Sequence, residues 1–111
     1  MRTLAALAVA GVLACAQIVH AQGMMTGTIS MIRTGWNDDS FAIVTVEPMP
    51  NPAGCARADG YISQKSFPGY NTYYAAALTA YATKRRVMLT VHNSECYAGW
   101  PKLIGVNLIQ E

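Results

Sequence analysis

Residues 69–91 read GYNTYYAAALTAYATKRRVMLTV, and this stretch decides the fold. Gly69 breaks the preceding pattern, and Asn71 or Thr72 can accept the first free amide hydrogens of a helix. Tyr74, Ala77, Leu78 and Tyr81 then fall at i, i+3, i+4 and i+7 and form one apolar stripe. Thr72, Ala76, Thr79 and Thr83 make a small, polar opposite face. Lys84-Arg85-Arg86 closes the helix, where cations offset the negative end of its dipole; a polyanion site is the rival reading of the same run. Val87, Leu89 and Val91 then alternate as a strand.

The flanks read as strands and turns. Gly27 to Arg33 is a strand with Ile29 and Met31 on one face and Thr28 and Ser30 on the other. Residues 35–40, Gly-Trp-Asn-Asp-Asp-Ser, are turn chemistry. Phe41 to Glu47 is the clearest strand, and its weak alternation predicts burial on both faces. Pro48, Pro50 and Pro52 forbid regular pairing, so Pro48 to Gly60 is a loop that carries Cys55. Tyr61 to Lys65 is a short third strand. Beyond the fourth strand, Asn93 to Pro101 reads as a loop with Cys96 and Trp100, and Leu103 to Ile109 as a fifth strand with Ile104, Val106 and Leu108 on one side. The order β-β-β-α-β-β predicts a mainly β domain with one helix. It matches a five-stranded OB-fold-like barrel, in which a helix plugs one end. An open α+β sheet is the alternative.

The N-terminus predicts export. Arg2 precedes an uncharged apolar run from Leu4 to about Ala16, and Val19-His20-Ala21 supplies the small residues a signal peptidase needs. Cleavage before Gln22 makes residues 1–21 a signal peptide and 22–111 a single domain, periplasmic or secreted. The run is too short for a membrane span, which needs about 20 apolar residues. Lipidation at Cys15 is a weaker rival. The remaining Cys55 and Cys96 predict a disulfide in an oxidising compartment rather than a redox or zinc site.

Composition narrows the function. The chain carries a formal net charge of +2, which argues against a dedicated nucleic-acid binder or a binder of anionic membranes. No G-x-S-x-G, P-loop or H-E-x-x-H occurs, and neither a cofactor nor a metal site is expected. Asp38 and Asp39 read as solvated turn formers, not as a catalytic carboxylate pair. His92 could pair with Glu95 in a small hydrolase, but the sequence places no nucleophile or oxyanion donor beside them. The reading is therefore non-catalytic. Tyrosine and tryptophan are more telling, since both couple a flat apolar face to a polar tip that suits sugars and protein interfaces. Tyr73 and Tyr74, about 100° apart on the helix, cannot both face fully inward.

The sequence resembles the B-subunit family of subtilase cytotoxin and its pertussis-like relatives from about Met25 to Val106. The resemblance rests on Met25-Thr26-Gly27, Arg33-Thr34-Gly35, the helix segment Tyr74 to Tyr81, and the passage from Thr83 into Val87 followed by a cysteine-bearing segment. It implies an exported OB-fold protein that forms a homopentamer, binds host or cell-surface glycans, and partners an enzymatic toxin subunit. Thr26 and Tyr81 match the family's sugar-contacting hydroxyl and late-helix tyrosine; Tyr73 and Trp100 join them as candidate glycan contacts on their chemistry. Thr26 stands where the family has serine, and the cysteine positions differ. A periplasmic structural or partner-binding OB-fold protein without glycan binding is the alternative reading.

Overall fold

The computed structural model describes residues 22–35 and 38–110; the expected signal over 1–21, with Cys15, lies outside the described residues. Among the described residues the elements are β1 (Gln22–Thr34), β2 (Ser40–Thr45), β3 (Tyr61–Gln64), α1 (Tyr70–Thr83), β4 (Arg86–Tyr97) and β5 (Trp100–Leu108). The described residues are mainly β with a single helix between the third and fourth strands, as the sequence predicts. β1 serves two neighbours: Gln22 to Thr28 pair with β4, and Ile29 to Thr34 pair with β2, both antiparallel. β2 pairs with β3 and β4 with β5, also antiparallel, while β3 and β5 meet in parallel at Ile62 and Lys102. The hydrogen-bonded order β1-β2-β3-β5-β4 therefore returns to β1 as a closed barrel.

A register shift between Ile29 and Met31 marks the point where β1 changes partner. Gly27 and Ile29 point inward before it, and Ile32 packs against the core after it. Met31, expected on the face of Ile29, is instead 44% exposed, because one extra residue reverses the alternation. Glu47 braces the same region. Its Oε1 accepts the Thr28 N–H at 2.8 Å, and that bond holds the carboxyl below its ordinary range. Gly27 makes room for it, since a Cβ there would stand 2.3 Å from Glu47 Oε1.

The core is built from Phe41 and Ile43 of β2, Tyr61 of β3, Val87, Leu89 and Val91 of β4 and Leu103 of β5, each at most 1% exposed. β2 is buried on both faces, as its run of apolar residues predicts. The buried Tyr61 phenol, pushed up to about 12 by desolvation, donates to the Pro50 carbonyl at 2.5 Å and ties down the proline-rich loop.

The helix is rotated from the predicted stripe. Ala77 and Ala80 are buried and Tyr70, Tyr73 and Tyr74 pack against the core, whereas Leu78 and Tyr81 are exposed at 43% and 48%. The small alanines sit at the buried positions, while Tyr70 and Tyr74 place their rings 5.5 and 5.0 Å from that of Phe41. Tyr73 and Tyr74 are both half-buried, and the Tyr73 hydroxyl donates to the Ile104 carbonyl of β5 at 2.7 Å.

Both helix ends also depart from expectation. The helix starts at Tyr70, so Asn71 and Thr72 lie inside it, and Gly69 at φ 83° precedes it with no side-chain cap. The basic run falls beyond the last turn: Lys84, at φ 58°, ends the helix, and Arg86 already belongs to β4. Gly69 is required twice over. A side chain there would be strained by its φ, and a Cβ would stand 2.3 Å from Tyr73 Cζ. Gly69→Ala is expected to lower the unfolding free energy by about 2–3 kcal/mol in urea denaturation, the combined scale of left-handed strain and overpacking. A loss below about 0.5 kcal/mol, the range of innocuous surface changes, would contradict this account.

β4 is the largest departure. The segment expected to be a loop from Asn93 onward continues as strand to Tyr97, and β5 begins at Trp100. Ala98 and Gly99 between them have φ 51° and 91°, the two positive values a two-residue type I′ hairpin requires. The polar residues His92 to Glu95 form a wide bulge opposite Lys102 alone, between the pairs Val91–Leu103 and Cys96–Pro101. His92 Nδ1 organises it by accepting the N–H groups of Ser94 and Glu95, each at 3.1 Å.

Candidate functional site

A cleft of about 220 Å³ opens where the β1–β2 connection meets the β4–β5 turn. Phe41, Ala42 and Ile62 supply its apolar side from β2 and β3. Arg33 from the end of β1 and Asp38 from the following turn bring opposite charges, and Tyr97 and Trp100 flank it from the hairpin.

The hairpin is held in place from the opposite loop. Cys55 and Cys96 form the expected disulfide, with Cα atoms 5.8 Å apart. Cys96 sits near the end of β4, one residue before Tyr97, so the bond clamps a loop to a strand rather than two loops as expected. Asn51 fixes Cys55 reciprocally, its side chain giving and receiving backbone bonds of 2.8 Å. Arg57 donates its N–H to the Gly99 carbonyl at 2.7 Å and places its guanidinium over the Trp100 ring at 4.7 Å. Arg33 lies over the same ring at 5.8 Å.

Asp59 joins these groups. Its Oδ1 accepts the Trp100 indole N–H at 2.6 Å, and this bond holds its carboxyl below the ordinary range, with Arg33 and Arg57 adding to it. Arg33 also donates to the Asp59 carbonyl at 3.1 Å. Gly60 keeps that path open, since a Cβ there would stand 2.6 Å from Arg33 Nη2. Across the cleft, the Tyr97 hydroxyl donates to Asp38 Oδ2 at 2.9 Å, which pushes the Tyr97 phenol up. Asp38 thus does more than turn the chain, because it ties the β1–β2 connection to the hairpin. Asp39 fits the simpler expectation, exposed and 3.5 Å from the Lys65 ammonium.

Of the four residues singled out as glycan contacts, Trp100 lines the cleft. Thr26 is exposed on β1 opposite Met88, Tyr81 is exposed on the last turn of α1, and Tyr73 joins α1 to β5. Sequence reasoning missed Arg33, Asp38 and Tyr97 as partners of Trp100. The dipeptide Ala98-Gly99 between two aromatic residues is the hairpin signal that would have found Tyr97.

The His92 bulge brings Ser94 Oγ to 3.2 Å from Nδ1 and Glu95 Oε2 to 3.7 Å from Nε2, so a hydroxyl does stand beside the imidazole. The single Nδ1 lone pair already receives two backbone N–H groups, however, and is committed to the bulge. Glu95 turns instead to Lys102 at 2.9 Å, the leading cause of its lowered carboxyl pKa. Among the described residues no group of three or more His, Cys, Asp or Glu is placed to hold a metal ion, and no helix is long and apolar enough to cross a membrane.

The cleft therefore offers an apolar wall, aromatic flanks, a guanidinium and a carboxylate, within a volume smaller than the usual 300 Å³ or more of a drug-sized pocket. Those features suit holding one polar ring. No protein-family model matches the chain, and no curated protein matches it.

Proposed function

We propose that this chain is an exported, non-catalytic binding module of the OB-fold class, assembling as a toxin B-subunit-like homopentamer and holding one ring of a glycan in the Arg33–Trp100 cleft. The closed strand order and the single helix before β4 support the fold assignment. The disulfide and the N-terminal apolar run support export. The observation that carries the binding reading is the cleft itself: Trp100 and Tyr97 stand beside an apolar wall, with Arg33 and Asp38 as hydrogen-bonding groups. Aromatic rings contact the apolar face of a sugar, while charged groups of both signs bond its hydroxyls.

A glycan array combined with light scattering tests the proposal. Trp100→Ala is expected to reduce binding at least tenfold, the scale of one lost aromatic contact. Tyr97→Phe, which removes only the bond to Asp38, should give a smaller loss on the same glycan. Thr26→Ala is expected to leave cleft binding unchanged. If Thr26→Ala and Tyr81→Phe abolish binding while Trp100→Ala spares it, the sugar sits at the positions implied by the toxin resemblance. A monomer that binds no glycan removes the toxin-like reading. The protein-partner alternative is favoured by the exposed apolar side chains of Val46 and Met24, at 71% and 61%, and a pull-down from envelope extract discriminates it.

A further inference from the structure

Two strand pairs fix the ends of the β4 bulge: Val91 with Leu103 before it, and Cys96, cross-linked to Cys55, with Pro101 after it. Between them the Ser94 and Glu95 N–H groups are held by a side chain. Both donate to His92 Nδ1, each at 3.1 Å. A ring nitrogen accepts only when it carries no proton, so the imidazole that braces the bulge is the neutral one, with its hydrogen on Nε2.

Protonation removes the lone pair on which the bulge depends. The imidazolium carries hydrogen on both nitrogens, and its Nδ1–H would point at two backbone N–H groups. Donors facing donors give up their hydrogen bonds. Ser94 Oγ, 3.2 Å from Nδ1, can accept the new hydrogen, and Glu95 Oε2 stands 3.7 Å from Nε2, so both draw the charged ring off the amides. The Glu95 carboxyl is held below its ordinary range, first by its bond to the Lys102 ammonium and then by His92, so it stays ionised wherever an imidazole titrates. Lys102, across the bulge on β5, is the opposing cation and bonds Glu95 Oε1 at 2.9 Å. From β1, Gln22 pairs with His92 and brings no titratable group. Water reaches the cluster, since the His92 side chain is 26% exposed and that of Glu95 54%; the ring can gain a proton in the folded protein, and released amides find solvent.

We propose that the His92 bulge is an acid-sensitive latch: the neutral imidazole holds residues 92–95 in the strand, and its protonation frees the Ser94 and Glu95 amides and opens the segment as a loop. Val91 and the disulfide-anchored Cys96 keep their partners, so the change is confined to the bulge and the barrel stays folded. The latch needs no ligand and stands independently of the glycan reading. Histidine suits the task because its ordinary titration falls between about pH 5 and 8.

NMR of the oxidised protein, titrated from about pH 8 to about pH 5, tests the latch. The Ser94 and Glu95 amide shifts are expected to move with the same midpoint as the His92 ring carbons. Exchange protection of those two amides should fall about tenfold relative to that of Val91, the scale of one neutral hydrogen bond. His92→Asn places an amide oxygen near the position of Nδ1, an acceptor that does not titrate in this range. That variant should keep both amides protected at either pH. The proposal is overturned by amides that stay put while the ring titrates, by a ring that remains neutral down to acid unfolding, or by the same opening in His92→Asn.

Discussion

Replacing Cys55 and Cys96 together by alanine is expected to lower the unfolding free energy by about 4 kcal/mol, the chain-entropy value for a bond spanning 41 residues. Total stabilities of such domains are about 5–15 kcal/mol, so this single cross-link is a large share of the whole. In a thermal scan the expected drop is roughly 20 °C for a domain of this size. Reduction by a dithiol should give the same result without mutation, because Cys96 is exposed even though Cys55 is buried. The loss is expected to reach the cleft as well. With the cross-link gone, the loop and the hairpin keep the Arg57–Gly99 hydrogen bond, the Trp100–Asp59 hydrogen bond and the stacking of Arg57 on Trp100. Interactions of that kind are individually worth about 1–3 kcal/mol and break and re-form freely, so they do not replace the covalent restraint. On the proposed glycan reading, affinity for the sugar should therefore fall on reduction before the protein unfolds. A reduced protein that melts within a few degrees of the oxidised one would show that the hydrogen bonds alone fix the hairpin.

Why the disulfide was legible and the cleft was not has a physical basis. With Cys15 set aside in the N-terminal apolar run, Cys55 and Cys96 have one partner choice, and the long apolar run of β2 has one sensible environment. The helix was harder to phase. Residues 73–82 read YYAAALTAYA, apolar on nearly every side, so the stripe through Leu78 and Tyr81 and the true one through Tyr70, Tyr73 and Ala80 share Tyr74 and Ala77. Packing chose the second, placing small alanines where the helix is buried and tyrosines where rings could reach Phe41. The bulges escaped sequence reading for a different reason. At Met31 one extra residue inverts the faces, and from His92 to Glu95 a polar run looks like a loop although side-chain bonds from His92 let it continue a strand. The cleft depends on both features: Arg33 is placed by the strand beyond the first bulge, and Tyr97 and Trp100 by the hairpin beyond the second. Its residues are far apart in sequence and carry no motif.

Phe41→Ala is expected to be among the most damaging single core changes, with a loss of about 3–5 kcal/mol. Phe41 is 1% exposed, pairs with Thr34 on one side and Ser63 on the other, and presents its ring to Tyr70 and Tyr74. Truncation removes apolar burial and leaves a cavity that the paired strands cannot collapse, because their hydrogen bonds fix the spacing. It also takes away the β2 side chain on which the first turns of α1 rest, so helix signal should decline together with stability. Phe41→Leu separates the two effects. It keeps most of the volume, which holds its cost to under about 1.5 kcal/mol, but it abolishes the tilted ring contacts. Because Phe41 also lines the cleft, the leucine variant is expected, on the proposed glycan reading, to bind the sugar more weakly while remaining folded. The outcome that sinks this account is a Phe41→Ala protein that loses less than about 1.5 kcal/mol in urea denaturation, the cost of a volume-conserving swap. α1 would then be seated by Ala77, Ala80 and the Tyr73–Ile104 bond alone, and the ring of Phe41 would matter only as part of the cleft.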